Sequence, residues 1–364
     1  MEMVLESKLL NFNTDKSVYM VLGNSKFRKS TKVEIKSCPI ILANNPMKEV
    51  ESYSYLGETI SCHGVAQSVV STINKIYGIA YNTIFEILVK IEDVRSEVPG
   101  AFNTALKIWE MAVLPTLLNS AECWMEIPHK ALEKLNKLQE TFYRVILKAG
   151  KCCPIPGLYW FTGGIFMKNK IIMKKLMFLH HLIKLKKTSL VSEILEVQKK
   201  MEFPGLWLEA MEHLRNLDIN VAELYELNKI QWKGRVKNAV SERNKEKLLQ
   251  TISSYKKLDA NSLKEEDFKT KEYLVKMKLD DARTKFAIDN RMVKTVKSDF
   301  ASDNKFADEM WECDDCKRID SIRHIKVCPG YEHLRADKDL KRDEDLVKYF
   351  QEVLITRTEI KHDF

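Results

Sequence analysis

The feature that most constrains this chain is its scarcity of residues that interrupt helices. The 364 residues include only 9 Pro and 12 Gly, and no proline lies between Gly205 and Pro329. Proline removes a backbone donor and clashes with the preceding turn, and glycine also disfavours helix interiors. From Ala66 onward, apolar residues recur at helical spacing. The sequence therefore predicts a mainly α protein.

The first sixty residues follow a different pattern. Short β-branched or aromatic runs at 18–22, 32–35, 40–42 and 52–56 are separated by Gly23, Pro39, Pro46 and Gly57. We expect strands and tight turns there. Together with the later Pro and Gly breaks, this pattern predicts four regions, at 1–64, 65–203, 204–300 and 301–364.

Three cysteines and a histidine near the end of the chain have the spacing of a metal site. Cys313, Cys316, His324 and Cys328 form a Cys-x2-Cys-x7-His-x3-Cys arrangement. Four soft ligands suit tetrahedral zinc, and a site closed by four protein ligands is structural. The alternatives are a chance pair of cysteines beside an incidental histidine, or His333 as the fourth ligand.

Basic residues are concentrated in the middle of the chain. The net charge is +8, but residues 130–200 alone contain 15 basic and 4 acidic residues, a net charge of +11. Residues 301–364 contain 12 basic and 16 acidic residues, a net charge of −4. A basic surface favours nucleic acid as a partner, with an anionic membrane as the weaker option. Solvated lysines on helix faces are the simpler interpretation.

Two amphipathic segments place these charges on surfaces. In 129–148 the apolar stripe is Leu132, Leu135, Leu138, Phe142 and Ile146, and in 170–184 it is Ile172, Leu176, Leu179 and Ile183. Lysines about one turn apart could follow a phosphate backbone without reading its sequence. The candidate contacts are Lys130, Lys134, Lys137 and Lys148 in the first segment, and Lys170, Lys174 and Lys184 in the second.

Several motifs occur in an order typical of one family. They are Leu9–Asn13 with Asp15–Met20, then Tyr55-Leu56-Gly57, then Ala112–Leu118 through Glu122-Cys123-Trp124, and finally the cysteines and His324 followed by Pro329, Tyr331, Leu334 and Arg335. In this order they resemble the C-terminal part of reverse transcriptases from non-LTR retrotransposons, the LINE-like elements.

The resemblance implies an architecture and two further nucleic-acid contacts. It implies an incomplete β-containing palm at 1–64, a thumb-like helical domain at 65–203, a charged helical linker domain at 204–300, and a zinc knuckle with a C-terminal helix at 301–364. In such enzymes, the lysine matching Lys16 assists at the nucleotide phosphates, and the turn matching Tyr55 to Gly57 holds the primer end. Taken alone, Lys16 could equally be a solvated lysine at a strand end, and Tyr55 part of any half-buried strand.

The aspartate pair needed for polymerisation is not found. Copying a template requires two divalent cations held by paired aspartates on a hairpin upstream of Lys16. Phe306–Glu309, Asp280-Asp281 and Asp314-Asp315 do not fit that role. We therefore expect a non-catalytic remnant that binds RNA or an RNA–DNA hybrid, and possibly DNA, with magnesium needed only if a complete palm is joined to it.

Two other functions remain open. The chain could be the back end of an active RNA-directed DNA polymerase whose catalytic palm lies upstream. It could also be a domesticated interaction protein whose zinc module docks another protein, which the acidic tail favours.

The sequence gives no sign of export or of a membrane span. The N-terminus lacks the basic and apolar regions of a secretory signal. The longest uncharged stretch, Cys152 to Met167, is 16 residues long and is broken by prolines and glycines. We expect a nuclear or cytoplasmic protein that is not secreted and has no membrane partner.

Overall fold

The computed structural model describes residues 13, 16–42, 45–55, 58–95, 97–125, 127–150, 153–186, 189–201, 205–254, 268–290, 292, 313, 316, 318 and 321–362. The protein is mainly helical, with 69% helix and 6% strand, as the sequence predicted. Within the described ranges, no helix is both long and apolar enough to cross a lipid bilayer.

Short strands are confined to the N-terminal region. Three two-stranded sheets form there: β1 (Val18–Tyr19) pairs in parallel with β4 (Lys48–Glu49), β2 (Ile41–Leu42) is antiparallel to β3 (Asn45–Pro46), and β5 (Ser52–Tyr55) is antiparallel to β6 (Glu58–Ser61). Three of the four predicted strand runs contain strands. All four residues of β5 are exposed, so this hairpin contributes little to a core.

The strand predicted at 32–35 is wrong, because these residues belong to helix α1 (Ser25–Ser37). The Asn24 side chain caps the helix by accepting a hydrogen bond from the Phe27 N–H at 2.8 Å. None of the described α1 residues is buried, and Val33 is 68% exposed. The alternating apolar residues therefore have no core to face, and the capped helix is the outcome.

The largest hydrophobic core lies among the helices that follow. Trp109 stacks on Phe142 with ring centroids 4.7 Å apart, and both side chains are fully buried. The core is formed by α2 (Val65–Arg95), α3 (Ala101–Ile108), a π-helical turn (Trp109–Val113), α4 (Leu114–Leu117), α5 (His129–Ile146) and α6 (Ile155–Thr162).

A second core forms around the next five helices. The fully buried Trp232 donates a hydrogen bond from its indole N–H to the Leu176 carbonyl at 3.1 Å. This core therefore draws on both sides of the predicted boundary at 203/204, which stays a prediction. The helices are α7 (Met167–Ile183), α8 (Leu190–Met201), α9 (Leu206–Asn216), α10 (Val221–Glu226) and α11 (Lys229–Ile252).

Helix α11 joins the two cores. Its first half contributes Trp232, Val236 and Val240 to the second core, whereas Leu248 and Ile252 lie in the first. The buried Asn244 anchors its middle. Its side-chain oxygen accepts from the Phe166 N–H at 3.0 Å, and its amide donates to the Gly164 carbonyl at 3.1 Å.

The C-terminal elements form a third, smaller core. Helix α12 (Glu272–Lys276) packs on the first core, and α13 (Leu279–Asp289) contacts both the first core and the C-terminal part. The acidic run at 343–345 begins the last helix, which extends past Val353. The remaining elements are α14 (Ile322–Ile325), a 3-10 turn (Pro329–Tyr331), α15 (Glu332–Arg335) and α16 (Asp343–His362).

A buried ion pair joins α7 to α9 and gives a test of the packing. Lys175 is only 1% exposed and its ammonium bonds the Glu209 carboxylate, whose side chain is 28% exposed. We expect Glu209→Leu to destabilise the fold by about 3 kcal/mol, because it strands a buried ammonium. Lys175→Met should cost less, because Glu209 retains access to water and to His213 at 3.5 Å. Urea unfolding would contradict this if the two losses were equal or reversed.

Candidate metal centre and basic helical face

The four predicted metal ligands come together in the fold. We call Cys313, Cys316, His324 and Cys328 the Cys/His cluster. Its donor atoms all lie within 4.8 Å of one another. Cys313, His324 and Cys328 are buried, whereas Cys316 is partly exposed. The cluster could hold a metal ion such as zinc.

The distances within the cluster fit a tetrahedral ion. The Cys328 sulfur lies 3.7 Å from the Cys313 sulfur and 3.8 Å from the Cys316 sulfur. The Cys316 sulfur lies 3.2 Å from His324 Nε2. With metal–sulfur bonds of about 2.3 Å, tetrahedral geometry places two sulfurs about 3.8 Å apart. The thiols thus already have the separation of the corners of such a site.

Local hydrogen bonds hold the ligands in place. The Cys313 N–H donates to the Arg318 carbonyl at 2.7 Å, which ties the first ligand to the chain just past the second ligand. The Ser321 hydroxyl accepts from the His324 N–H at 3.1 Å and so caps α14. One turn of α14 and the following residues bring the histidine and Cys328 to the same point.

The rest of the module supports the last ligand. The Arg335 guanidinium donates to the Cys328 carbonyl at 2.6 Å and to the Tyr349 hydroxyl at 3.3 Å. The Tyr349 hydroxyl in turn donates to the Ile325 carbonyl. Helix α16 is therefore connected to the cluster through buried polar contacts as well as through apolar packing.

The electrostatics of the cluster favour the binding of a cation. Burial, together with the neighbouring thiols of Cys313 and Cys316, raises the pKa of Cys328 to about 12. Without a cation, the Cys328 thiol therefore favours its protonated form. A bound divalent ion would reverse this preference, because thiolates are the ligands that it binds.

The structure also decides between the two candidate histidines. His324 is 7% exposed and lies in the cluster, whereas His333 is exposed on α15 and is not part of it. His333 therefore provides a matched control for His324.

Purified protein should carry one divalent metal ion per chain, as measured by inductively coupled plasma mass spectrometry. We expect Cys328→Ser and His324→Ala to lower that ratio well below one, because each removes a ligand. His333→Ala and Cys38→Ser should leave it unchanged, since both residues lie outside the cluster and are exposed. Metal-free protein with undiminished protection of α16 against hydrogen exchange would contradict the assignment.

The predicted basic helix α5 has the expected buried face. Leu135, Leu138, Phe142 and Ile146 are fully buried, and Leu132 is partly buried against the same core. The period predicted from the sequence is therefore confirmed.

Lys134 of α5, and Lys148 just past the end of α5, contact the neighbouring helix α2. The Lys134 ammonium donates to Asn74 Oδ1 at 2.7 Å and lies 4.4 Å from the centroid of the Tyr77 ring. The Lys148 ammonium pairs with Glu92 at 3.2 Å. The residue numbers in these contacts rise in the same direction, from Asn74 to Glu92 and from Lys134 to Lys148. Helices α2 and α5 therefore lie side by side and parallel.

Two more lysines of α5 face solvent. Lys130 and Lys137 are exposed, and neither side chain forms a hydrogen bond or ion pair with a described residue. At about 100° per residue, Lys134 lies about 40° to one side of Lys130 around α5, and Lys137 lies about 20° to the other side. One flank of α5 thus carries three lysines. Lys148 follows in the turn after the helix, with a φ of 47°.

An aromatic ladder runs along the flank of α2 that borders these lysines. The Tyr77 and Tyr81 rings stack with centroids 6.1 Å apart, and Tyr81 and Phe85 follow at 5.1 Å. Tyr81 and Phe85 are each 38% exposed. Sequence reasoning missed this ladder, although the i, i+4, i+8 spacing of three aromatics was a visible signal.

We call this surface the α2–α5 face. It consists of Lys130, Lys134 and Lys137 of α5, Lys148 in the turn after α5, and Tyr77, Tyr81 and Phe85 of α2. Glu92 partly neutralises Lys148, so the net positive charge comes mainly from the other three lysines.

The lysines predicted in the segment 170–184 lie outside the α2–α5 face. Lys174 donates to the Leu118 carbonyl at 2.6 Å and pairs with Glu122 at 3.1 Å. Lys170 is half-buried, and burial lowers the pKa of its ammonium below the usual value. Lys184 is exposed and donates to the Tyr225 carbonyl at 2.6 Å. Their phosphate contacts stay predictions.

The buried face of α7 differs in part from the prediction. Leu176 and Leu179 are fully buried as expected, but Ile172 and Ile183 are only partly buried. Ile171 and Leu182 are buried instead. Helix α7 contacts α9 and α11 at once, so its buried face is wider than a single stripe.

The N-terminal candidates are on the surface. Lys16 is exposed in a turn, and its backbone N–H donates to Asn13 Oδ1 at 3.0 Å. Tyr55 is 58% exposed at the end of β5. Gly57 lies outside the described residues.

Of the three acidic segments considered for catalysis, Asp280-Asp281 lies within the described residues. Asp280 pairs with Arg283 at 2.9 Å, and Asp281 accepts from the Gln351 amide at 3.0 Å. Both carboxylates therefore bond to other side chains of the protein at the start of α13. Phe306–Glu309 and Asp314-Asp315 lie outside the described residues.

Comparison with known proteins yields no relative. No family model, curated protein or solved structure matches this chain. The functional proposals below therefore rest on the chemistry of the sites and on the motif resemblance.

Proposed function

We propose that this protein binds RNA or an RNA–DNA hybrid through the α2–α5 face, without catalysing a reaction itself. The observation that carries the proposal is the row of lysines running parallel to an aromatic ladder. Lysines supply affinity through the release of counterions from the phosphate backbone. Exposed rings supply surfaces on which unpaired bases stack, whatever their sequence.

The geometry of the face suits a strand lying along the helices. Lys130 and Lys137 are exposed and free of partners among the described residues, so a phosphate need not displace an existing ion pair. Lys134 is held beside Tyr77 by its bond to Asn74, which fixes a positive charge next to a ring. Charge and stacking surface are therefore available at the same place.

We further propose that the chain derives from the C-terminal part of a non-LTR retrotransposon reverse transcriptase. The ordered motifs support this origin, and α2 to α8 would then correspond to the thumb-like domain at 65–203. The helical bundle and the Cys/His cluster are compatible with it.

For the Cys/His cluster we propose zinc in a structural role. Three thiolates and one imidazole form a soft donor set that favours zinc, and four protein ligands complete a tetrahedral shell. The ion would hold together a module whose own apolar core is small, and its binding free energy would become folding free energy.

Binding to a single-stranded RNA oligomer should weaken steeply with salt. Replacing Lys130 and Lys137 by glutamate should lower the affinity and reduce the slope of log K against log salt by about 1.4, because two phosphate contacts are lost. Fluorescence anisotropy titrations at several potassium chloride concentrations measure both quantities.

A matched control is Lys107→Glu with Lys237→Glu, two exposed lysines on α3 and α11 outside the α2–α5 face. This variant has the same net charge as the double variant of α5, so a general charge effect would appear in both. The proposal would lose its support if both variants lost equal affinity for RNA. It would also lose it if the affinity of the wild-type protein did not change with salt concentration.

The aromatic ladder makes a separate contribution. Tyr81→Leu with Phe85→Leu should weaken single-stranded RNA binding about tenfold, because stacking of a base on an aromatic ring contributes about 1–3 kcal/mol. The salt slope should not change, since no phosphate contact is removed. Val89→Ala, a change at another exposed apolar residue of α2, is the control, and an equal loss there would argue against stacking.

A further inference from the structure

A groove separate from the α2–α5 face lies between α4, α7 and α11. Its cavity volume is about 600 Å³, which is within the range of sites that hold small molecules. We call it the apolar groove. Its apolar lining consists of Leu114, Pro115, Leu118, Ile165, Met173, Met177, Phe178 and Val236.

The groove follows from the periodicity of the two long helices. On α7, Met173, Met177 and His181 recur every four residues and line one wall. On α11, Lys229, Lys233 and Val236 recur at four- and three-residue spacing and line the facing wall. The half-buried methionines give the floor an adaptable, polarisable surface.

The charges around the groove are strongly unbalanced. Its lining contains one carboxylate, Glu122, and this group is already paired with Lys174 at 3.1 Å. Lys170, Lys229 and Lys233 also line the groove, and none of their ammonium groups forms a hydrogen bond or ion pair with a described residue. Of these three lysines, Lys229 and Lys233 lie one turn apart on α11, so one wall of an apolar cavity is bordered by two cations.

We propose that the apolar groove binds a long-chain carboxylate, a free fatty acid, with its chain on the methionine floor and its carboxylate beside Lys229 and Lys233. The lining offers few polar groups, so it would leave the edges of a sugar or nucleobase without hydrogen-bond partners. A ligand with one charged end and an apolar chain satisfies both parts of the site. The volume suits a single chain.

The test uses the full chain with sub-micellar decanoate, and decan-1-ol and decylammonium as probes of equal chain length. Isothermal titration calorimetry should show that decanoate binds at least tenfold more tightly than either, because a charge-assisted hydrogen bond is lost without the carboxylate. With methyl-labelled methionine, NMR signals of Met173 and Met177 should shift on adding decanoate. The signal of Met111, 79% exposed and outside the groove, should not.

Two variants on α11 decide the role of the charge. Lys233→Glu should weaken decanoate binding at least tenfold, whereas Lys237→Glu, one turn further on and exposed outside the groove, should leave it unchanged. Equal effects of the two changes overturn the proposal. So does equal binding of the three probes, or an acidic amphipathic peptide that moves the Met173 and Met177 signals when decanoate does not.

Discussion

The packing of α5 against α2 and the π-helical turn organises most of this protein. Trp109 stacked on Phe142 fills the space between these elements, and both rings are completely removed from water. Burying two large aromatic side chains contributes several kcal/mol, far more than any surface contact of the same helices. Because the apolar side of α5 is fixed against this core, its lysines must lie on the flank beside α2. The proposed nucleic-acid face is therefore a consequence of core packing.

The C-terminal module depends on a different interaction. Its core contains the cluster cysteines themselves, together with Ile325, Tyr349 and Phe350. A core this small gives little apolar burial, so a metal bound at the cluster, as proposed, would offset part of the entropy cost of ordering the chain. The module is also attached to the bundle: Lys285 of α13 pairs with Asp343 of α16 at 3.4 Å, and Ile288 of α13 lies in the module core. Loss of a bound metal should then mainly destabilise α16 and its contacts with α13.

How well the sequence predicted each element depended on how many partners that element has. Helix α5 has one broad buried face, and its apolar spacing identified that face correctly. Helix α7 packs against several helices, so its apolar stripe described only part of what is buried. Lys175 could not have been placed in the interior from its residue type, because only Glu209 on a distant part of the chain makes its burial tolerable. In α1, alternating apolar residues suggested a strand, but a good N-cap and the lack of a sheet to join made a helix.

The sequence by itself determined the helical class, the buried face of α5 and the three cysteines of the Cys/His cluster. Each of these depends on local period or spacing, which the chain carries wherever its neighbours lie. Only the tertiary structure decided that His324 and not His333 joins the cluster, that an aromatic ladder borders the lysines of α5, and that Lys170 and Lys174 line an apolar groove. These outcomes depend on which helices meet, and that choice is made by side-chain packing between segments far apart in the chain.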